Sequence, residues 1–77
     1  MQFPGLYVRE SRGDKYYGMK YSQAAARARH LADEYKRGVD VFLRDVAGNM
    51  ERVLTAMPYS QQSGVRFLNA NGNKVTA

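Results

Sequence analysis

The apolar pattern changes period along the first half of the chain, and each change marks an element. Leu6-Tyr7-Val8-Arg9-Glu10 alternates with a period of two, as a strand with two different faces does. Ser11-Arg12-Gly13-Asp14 is a cluster of turn formers, and Lys15 to Tyr21 resumes the alternation. Tyr17, Met19 and Tyr21 then share one face, and Tyr16, Gly18 and Lys20 the other. The two runs predict a β-hairpin, with Gly18 as a bulge or a close backbone approach.

From Ser22 the period lengthens. Ser22 occupies an N-cap position ahead of Gln23-Ala24-Ala25-Ala26. Ala24, Ala28, Leu31 and Tyr35 fall at i, i+4, i+7 and i+11, flanked by Ala25 and Ala32. This spacing predicts a helix to Lys36, ended by Gly38 at C′. Its apolar stripe is mostly alanine, so it can lie close against a sheet. Arg27, His30, Glu34 and Arg37 fall on the opposite side, and Arg29 and Asp33 are spaced for an i,i+4 pair.

Val39 to Val46 reads as a strand, with Val39, Val41 and Leu43 on one face. Residues 50–57 admit two readings. Met50, Val53, Leu54 and Met57 have helical spacing, with Asn49 as cap and Pro58 as stop. Alternatively, a two-residue turn at Gly48-Asn49 sets Asp45 opposite Arg52, Leu43 opposite Leu54 and Val41 opposite Ala56. The hairpin is the preferred reading. Pro58 to Gly64 is a polar connection, Val65 to Leu68 a short strand, and Asn71-Gly72 a hairpin turn into Lys74-Val75-Thr76. The predicted fold is α+β: a small antiparallel sheet in the order β-β-α-β-β-β, with one helix packed on one face. Residues 1–77 make a single domain without internal repeat.

Composition narrows the function classes. The balance of 44% hydrophobic and 25% charged residues is that of a globular chain. The absence of cysteine removes disulfides and thiolate metal sites and suits a reducing compartment. No apolar run is long enough to span a bilayer, and the first five residues do not read as a signal peptide, so the cytoplasm is the expected location. The net charge is +5, unevenly spread. Residues 1–29 hold six basic and two acidic side chains; residues 30–77 hold six basic and five acidic ones. The first third therefore carries most of the positive field, which suits nucleic acid or an acidic protein surface.

The residues for catalysis are sparse. His30 is the single histidine, placed on the polar side of the helix between Arg27 and Glu34, where solvation is the expected role. The seven carboxylates are scattered, and no glycine-rich phosphate loop occurs. Arg12-Gly13-Asp14 spells an adhesion tripeptide and is read as an ordinary turn. No enzyme activity, cofactor or metal is expected. The distinctive constellation is the first hairpin, where Tyr7, Tyr16, Tyr17 and Tyr21 interleave with Arg9, Arg12, Lys15 and Lys20. A two-stranded ribbon in so small a protein cannot bury both faces, so some of Tyr7, Arg9, Tyr16 and Lys20 are expected to be exposed together. Tyrosine and arginine dominate binding hot spots, and rings beside cations also stack bases. Arg9, Arg12, Lys15, Tyr16, Lys20 and Arg27 are the expected contact residues, and Arg66 and Lys74 on the last hairpin the fallback surface.

The order of elements, and the run from Ser22-Gln23-Ala24 through Gly38 into the Val-rich strand ending at Val46, resemble small phage-encoded anti-CRISPR proteins. The resemblance implies a stoichiometric inhibitor, in the cytoplasm of a host cell, that binds a host protein or ribonucleoprotein effector complex and blocks recognition of target DNA. Whether it acts as a monomer or homodimer is left open by the sequence, since a short edge strand could pair with its copy. Several such inhibitors are acidic; this chain is basic, which argues against mimicry of DNA and for contact with an acidic or guide-RNA-adjacent surface. The alternative is a small basic module or regulator that binds DNA or RNA.

Overall fold

A computed structural model of the chain describes residues 3–59 and 66–75. The elements are β1 (Gly5–Glu10), β2 (Gly13–Gly18), α1 (Tyr21–Tyr35), β3 (Val39–Arg44), β4 (Met50–Ala56) and β5 (Phe67–Asn69). All five strands form one antiparallel sheet in the order β2-β1-β3-β4-β5. The expected α+β class and the order β-β-α-β-β-β are found, and residues 50–56 are strand. Val65, Thr76 and most of the polar connection after Pro58 lie outside the described residues.

The helix covers one face of the sheet. Ala24, Ala25, Ala28, Leu31 and Ala32 turn inward. They meet Leu6 and Val8 of β1, Val39 and Val41 of β3, Leu54 and Ala56 of β4, and Phe67 of β5. Alanine at four of the five buried helical positions brings the helix axis close and leaves Leu31 as the one large helical plug. Full burial of such a side chain contributes about 2 kcal/mol.

The helix boundaries differ from expectation. Ser22 is not the N-cap. The chain leaves β2 through Gly18 (φ +61) and enters the helix at once, with Lys20 as N-cap and no side-chain cap. The Tyr17 carbonyl already accepts the Lys20 N–H, and the Lys20 carbonyl accepts the Ala24 N–H, so the first turn is closed before Ser22 can cap it. At the other end Lys36, not Gly38, takes the left-handed conformation (φ +59), and the Arg37 N–H donates to the Ala32 carbonyl. Gly38 serves close packing instead: a Cβ there would lie 3.2 Å from Thr55 Cγ2. Nor does Asp33 pair with Arg29; its carboxylate takes Arg66 at 3.0 Å and the Tyr59 N–H at 2.7 Å.

Strand registers also shift. The first hairpin is tighter than predicted: β2 ends at Gly18, Met19 is exposed, and Tyr21 belongs to the helix. In the β3–β4 pair Val41 faces Leu54, Phe42 faces Arg52 and Leu43 faces Glu51, with a bulge between. The expected pairs Asp45–Arg52, Leu43–Leu54 and Val41–Ala56 do not form. Asp45 is occupied in the turn, where its carboxylate accepts the Asn49 N–H at 2.9 Å while Gly48 takes φ +92. A loop of Val46, Ala47 and Gly48 replaces the predicted Gly48-Asn49 turn. The last turn repeats this design: the Asn69 side chain accepts the N–H groups of Asn71 and Asn73, with Gly72 at φ +82.

Candidate binding surface

Because α1 covers one face only, the opposite face of the sheet is open, and the registers map its side chains in rows. The central row runs Tyr16, Tyr7, Phe42, Arg52 across β2, β1, β3 and β4. Toward the first turn Asp14 stands opposite Arg9 across β2 and β1, and Asp40, Thr55 and Leu68 are in register across β3, β4 and β5. Three aromatic rings thus stand side by side on the face turned away from the helix, flanked by arginine.

The N-terminal segment changes what that row displays. Phe3 and Pro4 fold back over it: the Tyr7 hydroxyl donates to the Phe3 carbonyl, and the Tyr16 hydroxyl to the Pro4 carbonyl at 2.9 Å. The Tyr16 ring centroid lies 5.1 Å from that of Tyr7 and 6.0 Å from that of Phe3. Tyr7 is therefore buried, at 3% exposure, against the expectation that it would be displayed. Tyr16 stays 43% exposed and Phe3 59%. Beside them the Arg9 guanidinium covers the Phe42 ring at 4.4 Å and donates to Asp14 at 3.0 Å. That hydrogen bond to a carboxylate raises the Arg9 pKa further above its usual range.

The six expected contact residues do not share one face. Arg9 and Tyr16 lie on the open face. Arg12 stands at the tip of the β1–β2 turn and is exposed. Lys15 pairs with Val8 on the helix side of the sheet, with its ammonium 5.8 Å from the centroid of the Tyr17 ring. Lys20 is exposed at the start of α1. Arg27 is half-buried, its Nε 3.6 Å from Glu10 Oε2, an ion pair just beyond hydrogen-bond contact. Glu10 holds the Arg27 guanidinium above its ordinary range. Burial, followed by the same Glu10, pushes the Tyr17 hydroxyl upward. Arg12, Lys15, Tyr16 and Lys20 lie on β2 or next to it in the chain, whereas Arg9 belongs to β1 and Arg27 to α1.

Two of the cations are thus internal partners: Arg9 with Asp14 and Arg27 with Glu10. Among the described residues Arg12, Lys15 and Lys20 have no ion pair. Between the end of β2 and the start of α1, Tyr16, Tyr17, Gly18, Lys20 and Gln23 line a shallow cavity of about 290 Å³. The fallback residue Arg66 is engaged by Asp33 and lies over the Tyr59 ring at 5.3 Å; Lys74 is exposed beside β5. His30 and Glu34 approach to 3.8 Å on the exposed side of the helix.

Sequence reasoning passed over Phe3, Phe42 and Gln23. Phe42 was legible, since alternation from Val41 puts it on the face away from the helix. Phe3 and Gln23 carry no periodic signal, because a backfolded terminus and a first helical turn obey no strand alternation. Among the described residues no group of three or more His, Asp or Glu side chains could hold a metal ion, and no helix is long and apolar enough to cross a membrane. No protein-family model, curated protein or solved structure matches the chain.

Proposed function

We propose that this protein acts by stoichiometric binding, as a phage-type inhibitor that engages a host CRISPR effector complex through the flank of its β1–β2 hairpin. The observation that supports a binding role is the display of Arg12, Lys15 and Lys20 along an uncovered strand, beside half-exposed Tyr16. These three cations are exposed and have no ion pair among the described residues. They are available to carboxylates or phosphates of a partner, and the adjacent tyrosine adds apolar area at low entropic cost. The anti-CRISPR resemblance supplies the identity of the partner and the consequence of binding: an effector that no longer recognises its target DNA.

The test mixes the purified protein with CRISPR effector complexes and follows co-elution and target DNA binding. Co-elution with loss of DNA binding is the expected outcome. The variants Arg12→Glu and Lys15→Glu should then restore DNA binding while keeping the fold. Effector complexes that pass through without retaining the protein would end this reading.

A second reading, direct binding of single-stranded nucleic acid, is favoured by one observation: the exposed rings of Phe3 and Tyr16 lie 6.0 Å apart, and Tyr16 shares a shallow cavity with Lys20. It requires affinity to fall with salt by a log–log slope of about −0.7 per phosphate neutralised on a single strand. A gel-shift titration at low salt decides it, since a protein with this role must retard the strand there.

A further inference from the structure

The two edges of the sheet are not alike. Beyond β5 the chain returns on itself: Leu68 bridges to Lys74, and the Val75 N–H donates to the Phe67 carbonyl at 3.1 Å. That edge is therefore partly occupied. Beyond β2 no other described strand lies. β2 has six residues, bounded by Gly13 and Gly18, and spans about 20 Å. From Gly13 to Tyr16 its outer backbone N–H and C=O groups have no described strand to pair with, as on any antiparallel edge; at Tyr17 the register with β1 shifts, and the Tyr17 carbonyl accepts the Lys20 N–H. Proteins usually blunt such an edge, and here lysine at position 15 does so against an apolar or basic strand.

We infer that β2 receives an extended acidic segment of the partner as a sixth strand. The inference rests on the binding role proposed above and adds its mode and the chemistry of what is bound. Three features converge on it. The open edge asks for a peptide backbone, which nucleic acid does not offer. Arg12 before the strand, Lys15 within it and Lys20 after it present positive charge at the beginning, middle and end of the same edge, so carboxylates are the matching side chains. The cavity lined by Tyr16, Tyr17, Gly18, Lys20 and Gln23 opens at the far end of the strand and has room for a side chain of the incoming segment. Asp14, the one acidic residue of β2, is already held by Arg9 at 3.0 Å and offers little repulsion. A second copy of the chain is a poor occupant, because it would set a second edge carrying the same three cations, Arg12, Lys15 and Lys20, against the first.

The experiment selects a short random peptide library against the full chain and follows the bound peptides by amide hydrogen exchange and nitrogen-15 NMR. The enriched peptides should alternate apolar residues with Asp or Glu, and should slow exchange and shift the amides of Gly13–Gly18. N-methylation at alternate positions, which removes ladder hydrogen bonds and leaves the charge intact, should weaken binding by about tenfold or more. Equal binding of the methylated peptides, enrichment without acidic residues, or protection confined to other elements would overturn the inference. So would protection of β2 that grows with protein concentration in the absence of peptide, which marks self-pairing. The two proposals part on one arm. An effector complex that is retained while β2 amides stay unprotected leaves the binding role standing and removes strand addition. Acidic peptides that add to β2 in a protein that retains no effector leave strand addition standing and remove the named partner.

Discussion

Gly5 sets how the chain enters the sheet. It takes φ +139, and a Cβ there would stand 2.8 Å from the Gly18 carbonyl oxygen and 2.9 Å from Tyr16 Cε1. Alanine at this position must shift either the β1–β2 ladder or the Tyr16 ring. Gly5→Ala should therefore lower unfolding free energy by about 2 kcal/mol or more, read from urea titration; an unchanged midpoint would contradict the packing described here. Two carboxylates give a second expectation at this scale. The Tyr59 N–H, with Arg66, holds Asp33 below the usual carboxylate range, and the Asn49 N–H does the same for Asp45. A group whose folded pKa is depressed contributes stability that is complete above its unfolded pKa and fades as pH falls through the folded one. Thermal stability should hold at neutral pH and decline as the pH is lowered past about 4. The double variant Asp33→Asn, Asp45→Asn should be less stable at neutral pH and should show a flatter decline in acid, measured by melting across a pH series.

Among the elements, the helix shows what sequence can and cannot specify. Its inward stripe of Ala24, Ala25, Ala28, Leu31 and Ala32 was fully legible, because burial on one face imposes a 3.6-residue period. Its ends were not, because they depend on how neighbouring segments enter and leave. Gly18 delivers the chain into the first turn, and Gly38 is held small by Thr55, so neither Ser22 nor Gly38 plays the part its residue type suggests. The same holds for the β3–β4 hairpin. Its existence followed from paired apolar runs, whereas its register followed from the Asp45 carboxylate, which no pairing argument weighs. The matching turns Asp45–Asn49 and Asn69–Asn73 share the pattern Asp or Asn, two residues, Gly, Asn, a signal present in the sequence and visible only once the side-chain bonds explained it. The left-handed Lys36 carries the test at this scale. A residue with a Cβ is strained there and glycine is not. Lys36→Gly should raise stability by about 0.5–1 kcal/mol in a denaturant titration, and a loss of stability would show that the αL assignment is wrong.

For the molecule as a whole, the question is how six basic residues in the first third divide between holding the fold and meeting a partner. Alternation correctly joined Tyr7, Arg9 and Tyr16 on one face, but wrongly added Lys20, which caps the helix, and could not reveal that Phe3 and Pro4 fold across the face and bury Tyr7. Charge counting located the positive third, but could not say that Glu10 and Asp14 neutralise Arg27 and Arg9 within it. The division makes opposite demands on two variants. Arg9 lies over Phe42 and is bonded to Asp14, with its side chain 54% exposed. Arg9→Ala should cost about 1 kcal/mol of stability, a discounted sum of an exposed cation–π contact and a surface ion pair. The pair Arg12→Glu, Lys20→Glu touches neither the core nor any ion pair among the described residues, so its melting temperature should match the parent within a few degrees. Its capture of an acidic partner should nevertheless fall by about tenfold or more, mostly because the fast, salt-sensitive association steered by the parent's positive charge is lost in the variant. Calorimetric melting and surface-plasmon kinetics on both variants separate the cases. A stable Arg9→Ala protein together with an unfolded Arg12→Glu, Lys20→Glu protein would reverse the division and return the outer flank of β2 to the scaffold.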